Sequence, residues 1–392
     1  MKNFQDRLDF QICRPIIGIP LFLIIMYMVF SLSFCGFGAW LTEILGTIFF
    51  YMSEILQTIL ISVKTDQKIV SLIIGILSDI ASVLAFLPQT AIFFFLLKFL
   101  SDCGYMVRAV FVTDTFLQKF GLSGNALIPF ALGCGCSIPA VIASHELNPN
   151  ERKILLSAIP FLLCNARFPL LIFLTDSFFP QYKTQASFFF YLLSLFTVFL
   201  SCRFSSFRQT APPLIVHLQD YKIPKISSLL REVKTKSAEY WNRTISLIFL
   251  CSVALRFSAV LTPYLRFTEI QSKSILYLLG ECLSLFFTPL GFGKAPFSAA
   301  LAAGFFAKEN ILFVFETLSV NENFSSFSIP ARISFISFSM FYLPCFSSVI
   351  TILKESNLRK TLLFLIRTFL IAYILSLFLY TISCILVALV KF

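Results

Sequence analysis

SDCGYMVRAVFVTD (101–114), IPFALGCGCSIPAVIASHELNPNERK (128–153) and AIPFLLCNARFPL (158–170) carry the decisive reading of this chain. They set acids, arginines, cysteines and helix-breaking Gly and Pro between apolar segments. Lipid does not tolerate that mixture unless protein or water surrounds it. An ionisable side chain at the bilayer centre costs about 2.5–3.5 kcal/mol on insertion scales. Backbone broken at membrane depth survives only where it is buried in protein or lines a cavity. Ser101–Leu170 therefore reads as membrane sequence built around a solute or ion path.

Working outward, 58% of the 392 residues are hydrophobic and 13% charged, with mean hydropathy +0.87. Apolar runs recur from Ile16–Phe34 to Leu362–Val390 with no long hydrophilic stretch between them. A full crossing takes about 20 residues, so the runs predict an all-α polytopic integral membrane protein with about eight to ten transmembrane or re-entrant helices. Thr90–Leu100 is too short to cross and is expected to be a half-helix or re-entrant segment. Leu41–Ser62 alternates apolar and polar residues and is expected to lie at the interface as an amphipathic helix. The first apolar run is too long, and lacks the small-residue flank, for a cleaved signal peptide. The 50 phenylalanines read as lipid-facing bulk.

The net charge of +11 gathers in loops that flank apolar runs, which points to membrane orientation and away from nucleic acid. Arg203–Arg243 holds Arg203, Arg208, Lys222, Lys225, Arg231, Lys234, Lys236 and Arg243 against Asp220, Glu232 and Glu239. This predicts that the loop and the N-terminus are cytoplasmic in a multi-pass protein of the cytoplasmic (inner) membrane. The eleven cysteines lack the spacing of a disulfide framework and read as free thiols. Cys13, Cys35, Cys134, Cys202, Cys251, Cys282 and Cys384 are read as small packing residues. His145 reads as a solvated loop residue, and His217, in the basic loop, has no ligand role. The absence of a nucleophile–base pair, zinc-type spacing and phosphate loop argues against an enzyme.

The chain rhymes with itself. Asp102 precedes Cys136, and VIASHELNPNERK follows; Glu309 precedes Cys345, and VITILKESNLRK follows. Transporters are often built from such repeats, with the substrate site at discontinuous helices. The expected organisation is an N-terminal cytoplasmic segment (1–15), a first membrane half (16–202), the basic loop (203–243) and a second membrane half (244–392).

Three segments carry a resemblance to a known family: FLSDCGYMVRAVFVTD (Phe99–Asp114), LGCGCSIPAVIASHELNPNERKILLSAIPFLLCNARFPL (Leu132–Leu170), and AAGFFAKE (Ala302–Glu309) with YLPC (Tyr342–Cys345). In order and spacing the chain resembles the membrane domain of the ferrous iron transporter B family, FeoB, with its two gate-type repeats. The resemblance implies ferrous iron as substrate, the lipid bilayer as surroundings, and as partners a separate G protein or small SH3-like subunit and further copies of the chain. It also implies a family cysteine at the positions of Cys164 and Cys345. Two departures stand out. No G-x-x-x-x-G-K-[ST] phosphate loop occurs, since GFGKAP (291–296) has Thr288 five residues before Gly293 and Ala after Lys294; no resident cofactor and no GTP binding are expected. TPLGFGKAPF (288–297) also replaces a more polar family stretch, which weakens the match in the second half.

Ferrous iron is a borderline cation that accepts thiolate, carboxylate and carbonyl ligands. Cys136 lies after two glycines and before Ser137 and Pro139, where a helix can unwind and present carbonyls beside a thiol. Cys164 has Asn165 and Arg167 alongside. Cys345 follows Pro344, which frees a carbonyl one turn earlier. These three thiols are the expected metal ligands, approaching one another where the repeats meet, with Asp102 and Glu309 near the mouths of the path. Each has a plainer reading as a packing or ion-paired residue: Arg108 has the charge to pair with Asp102 or Asp114, and Ser137, Pro139, Asn165 and Arg167 read as structural or gating residues. The competing functions are a gate-domain carrier of another solute, such as a nucleoside, and a non-transporting membrane scaffold or regulator.

Overall fold

Two bends at left-handed glycines shape the membrane region. Gly104 (φ 86°) ends one helix after Asp102 and starts the next at Tyr105, at an angle of 84°. Gly291 (φ 82°) does the same between Leu290 and Ala295, at 103°. Both angles need a positive φ that glycine reaches without steric cost. At Gly291 a side chain would also meet the Tyr380 ring, 2.4 Å from an added Cβ.

The computed structural model describes residues 12–63, 67–205, 221–222, 224–240, 246–262, 274–318 and 327–390. Apart from an isolated bridge at Leu261, regular structure among them is helical. In chain order the helices are α1 Pro15–Phe30, α2 Phe37–Ser62, α3 Gln67–Asp102, α4 Tyr105–Gln118, α5 Leu127–Gly135, α6 Ser137–Ala143, α7 Pro149–Ala158, α8 Arg167–Phe178 and α9 Lys183–Ser205. They continue as α10 Ile226–Tyr240, α11 Ser246–Val260, α12 Ile275–Phe287, α13 Ala295–Phe306, α14 Asn310–Thr317, α15 Ile329–Phe341, α16 Phe346–Glu355 and α17 Leu358–Val390. The fold is thus all-α and polytopic. Four helical stretches among the described residues are long and apolar enough to cross a membrane, or six if each bent pair counts as one span; Gly124–Gly135 and Phe249–Val260 are shorter apolar helices.

Thr90–Leu100 is the end of the 36-residue α3 and forms with α4 a pair bent by 84°, the geometry of a broken span or a re-entrant loop. Pro88 sits inside α3 without ending it. Leu41–Ser62 falls in α2, where Gly38 is the one buried residue. Together α1 and α2 run over 48 residues, more than twice the length of one crossing.

The chain forms two compact units, one of residues 1–159 and 199–249, the other of 160–198 and 250–392. The second unit therefore takes a piece, 160–198, from the first half of the sequence. In it α12 packs on α13, and α15 on α17. In the apolar 18-residue core of Ile329–Glu355, 72% of the residues are buried, against 11% in that of Leu358–Leu389. Phenylalanine does more here than face lipid. Phe297 lies 5.1 Å from Phe335, edge to face, and 4.3 Å from Phe327; Phe292 lies 5.3 Å from Phe335. Lipid tails are as apolar as a protein core, so helix association depends on such close packing, and aromatic edges gain from meeting aromatic faces.

Candidate functional site

In both units a cysteine heads a short helix from a break. Cys136 is extended (φ −153°, ψ 135°) between α5 and α6. Cys345 is extended (φ −62°, ψ 151°) and starts α16. Eleven residues on, Leu147 (φ −89°, ψ 155°) and Ser356 (φ −143°, ψ 168°) are extended in turn. Asn148 and Asn357 then accept N–H groups four residues ahead, from Arg152 at 2.8 Å and Thr361 at 3.1 Å. The rhyme of the sequence thus has a local backbone counterpart. Cys164 lies in the non-helical stretch 162–166, and its carbonyl accepts from Arg167 and Phe168 at the head of α8. All three thiols are half-buried, and the eleven cysteines are outside any disulfide.

The first unit holds Cys136, Asp102, Arg108, Asp114, Ser137 and Pro139. Arg108 pairs with neither aspartate. Asp102 is paired one turn back on its own helix by Lys98 at 2.8 Å, the (i, i+4) spacing that places the two on one face. Asp114 accepts from the Gly124 N–H at 2.7 Å and Gln118 Nε2 at 2.6 Å. Arg108, buried, donates to the Gly104 carbonyl at 2.8 Å and lies 3.7 Å from the Tyr221 ring centre. Ser137 is buried at the start of α6, and Pro139 is half-buried in its first turn. Glu151, not singled out from sequence, is buried and accepts from the Ser123 N–H at 2.5 Å and from Asn148 Nδ2 at 3.2 Å. Asp114 and Glu151 together anchor the turn that precedes α5. His145 is exposed, 3.2 Å from Arg152; His217 lies outside the described residues.

The second unit holds Cys164, Asn165, Arg167, Glu309 and Cys345. Asn165 and Glu309 are half-buried. Arg167 is 2% exposed and donates to three carbonyls, those of Pro160, Leu162 (3.2 Å) and Leu343 (3.2 Å). It thereby ties the loop that carries Cys164 to the turn that carries Cys345. Cys345 Sγ lies 3.1 Å from Ser348 Oγ. Lys308, not singled out from sequence, is also 2% exposed. Its Nζ lies 3.3 Å from the Ser339 carbonyl and 3.5 Å from the Tyr342 ring centre, with Arg167, Cys164 and Cys345 as electrostatic neighbours. Among the described residues, no three His, Cys, Asp or Glu side chains gather as a ready metal-binding group. Lys294 of GFGKAP lies 4.4 Å from the Phe327 ring centre.

The family described as Gate, nucleoside recognition, matches residues 83–178. Along most of its length the chain is similar to proteins named Fe(2+) transporter FeoB. It is 29% identical to that of Staphylococcus aureus over 402 residues, 97% of this chain and 60% of that protein. It is 30% identical to that of Helicobacter pylori over 413 residues, 92% of this chain and 63% of that one. The protein of Methanocaldococcus jannaschii is 29% identical over 395 residues, 95% and 58% of the two chains. The chain spans about 60% of the length of the first of these relatives. No solved structure matches. With a Gate match over residues 83–178, the chain is similar along nearly all of its length to the FeoB proteins.

Proposed function

We propose that this chain carries ferrous iron across the cytoplasmic membrane through a path lined by thiols and acids. The observation that supports this best is the placing of Cys136, Cys164 and Cys345 at helix breaks. A transport site must bind and release, so a few such ligands with partial hydration suit it better than a closed cage. Asp102 and Glu309 supply negative charge toward the mouths of the path; Asp102 does so already paired with Lys98, which moderates its attraction. Iron uptake by the full chain in sealed vesicles tests this reading, and an uptake rate equal to that of empty vesicles overturns it. The Gate description favours one rival, a nucleoside carrier. Nucleoside uptake that survives loss of Cys136, without iron uptake, decides for the rival.

The chain itself takes no part in nucleotide hydrolysis on this reading. A phosphate loop needs a cradle of backbone amides with Lys and Ser/Thr, and GFGKAP offers neither the spacing nor the hydroxyl. Equilibrium binding to the purified chain is expected to show no GTP retained at micromolar concentration. A G protein, a small SH3-like subunit or further copies of the chain are partners it leaves room for.

The basic loop and the N-terminus face the cytoplasm by the Lys/Arg bias. Ser227, exposed on α10, is a site to check it: a cysteine placed there is expected to escape an impermeant maleimide added to intact cells and to react after lysis. Labelling from outside, above that of the parent chain, reverses the topology.

A further inference from the structure

We propose that Lys308 is a tethered cation, whose ammonium occupies the cation position beside Cys164 and Cys345, and that a metal ion enters there only when this side chain leaves. The proposal rests on the thiol-path reading and adds its gate.

The surroundings of the ammonium are those of a cation site. They comprise the Ser339 carbonyl at 3.3 Å, the face of Tyr342 at 3.5 Å, and the two thiols as electrostatic neighbours. Ser339 lies in the last turn of α15, where carbonyls lack helical partners. The tyrosine is fixed as a plate, since its hydroxyl donates to the Leu301 carbonyl at 2.7 Å. Gly304 leaves room for it, where an added Cβ would lie 2.9 Å from that hydroxyl. Carbonyl, aromatic face and thiol together suit an ammonium or a borderline divalent ion, and only one of them at a time.

Neither Lys308 nor Arg167 has a carboxylate partner among the described residues. Buried charge is ordinarily paired; here two buried cations lie within electrostatic reach of each other, with the thiols of Cys164 and Cys345 beside Lys308. The two differ in freedom. Arg167 is pinned by three carbonyls, whereas Lys308 has two contacts at the end of a flexible four-carbon stem. It is also carried on the break between α13 and α14, just after the extended Ala307 (φ −150°, ψ 136°). Lys308 is the one that can leave.

The test uses the full chain in detergent with Co2+ as probe, read by the thiolate-to-cobalt charge-transfer band. Lys308→Met removes the competing charge, and the Co2+ concentration at half-saturation is expected to fall by about tenfold or more. Lys308→Arg is expected to keep it at the parent value, and Lys308→Gln, which keeps a polar group, to follow Lys308→Met. Adding Cys164→Ser and Cys345→Ser to Lys308→Met is expected to abolish the gain. If Lys308→Met and Lys308→Gln both unfold at the parent temperature yet leave half-saturation unchanged or raised, the tethered cation is overturned while the thiol site stands. If the gain persists without the two thiols, the thiol site is overturned and the gate with it.

Discussion

Cys136→Ser is expected to lower ferrous iron uptake in reconstituted vesicles by about tenfold or more, since even outer-shell changes at metal sites cost 10–100-fold. Membrane insertion and helical content should be unchanged. The two side chains are close in size, and Cys136 is half-buried in extended backbone between α5 and α6, so little packing is lost. Only the thiol yields a thiolate at working pH, and metal binding expels its proton. The sign follows: at low pH protons compete with the metal, so uptake by the parent chain rises with pH, and Cys136→Ser flattens that rise. The local backbone adds a control. An added Cβ at Gly135 would lie 2.5 Å from the Phe93 ring, so Gly135→Ala disturbs the fold where Cys136→Ser does not. A Cys136→Ser chain present at normal level and carrying iron at the parent rate removes the thiol from the mechanism.

Arg167→Leu is expected to destabilise the second unit by about 3 kcal/mol or more, read as a lower unfolding temperature in detergent. Hydrogen bonds from charged groups contribute about 1.5–3 kcal/mol, and each buried carbonyl left alone costs about 1–3 kcal/mol. Arg167 serves three of them: Pro160 and Leu162 in the loop before α8, and Leu343 before α16. Without it the stretch that carries Cys164 loses its tie to the turn at Cys345. Arg167→Lys is expected to recover only part of the loss, because one ammonium does not reproduce the guanidinium fork. An Arg167→Leu chain that unfolds at the parent temperature shows that other contacts hold the two segments.

Several features of this molecule were legible in residues 101–170 before any coordinate. Apolar runs of membrane length with Gly and Pro between them dictate helices and breaks, because in lipid every backbone polar group must be satisfied locally or within protein. Gly104, Cys136 and the stretch around Cys164 lie where those signals put them, and the repeat at Cys136 and Cys345 extends to backbone angles. Periodicity says nothing about partners far apart in sequence. Only the tertiary structure joins residues 160–198 to 250–392, links Arg167 to Leu343 across 176 positions, or sets Lys308 on Ser339 and Tyr342. The acceptors in these contacts are mostly main-chain carbonyls and an aromatic face. Every residue has a carbonyl, so the choice of which one meets a buried cation is made by the packing of helices and leaves no mark in the order of side chains.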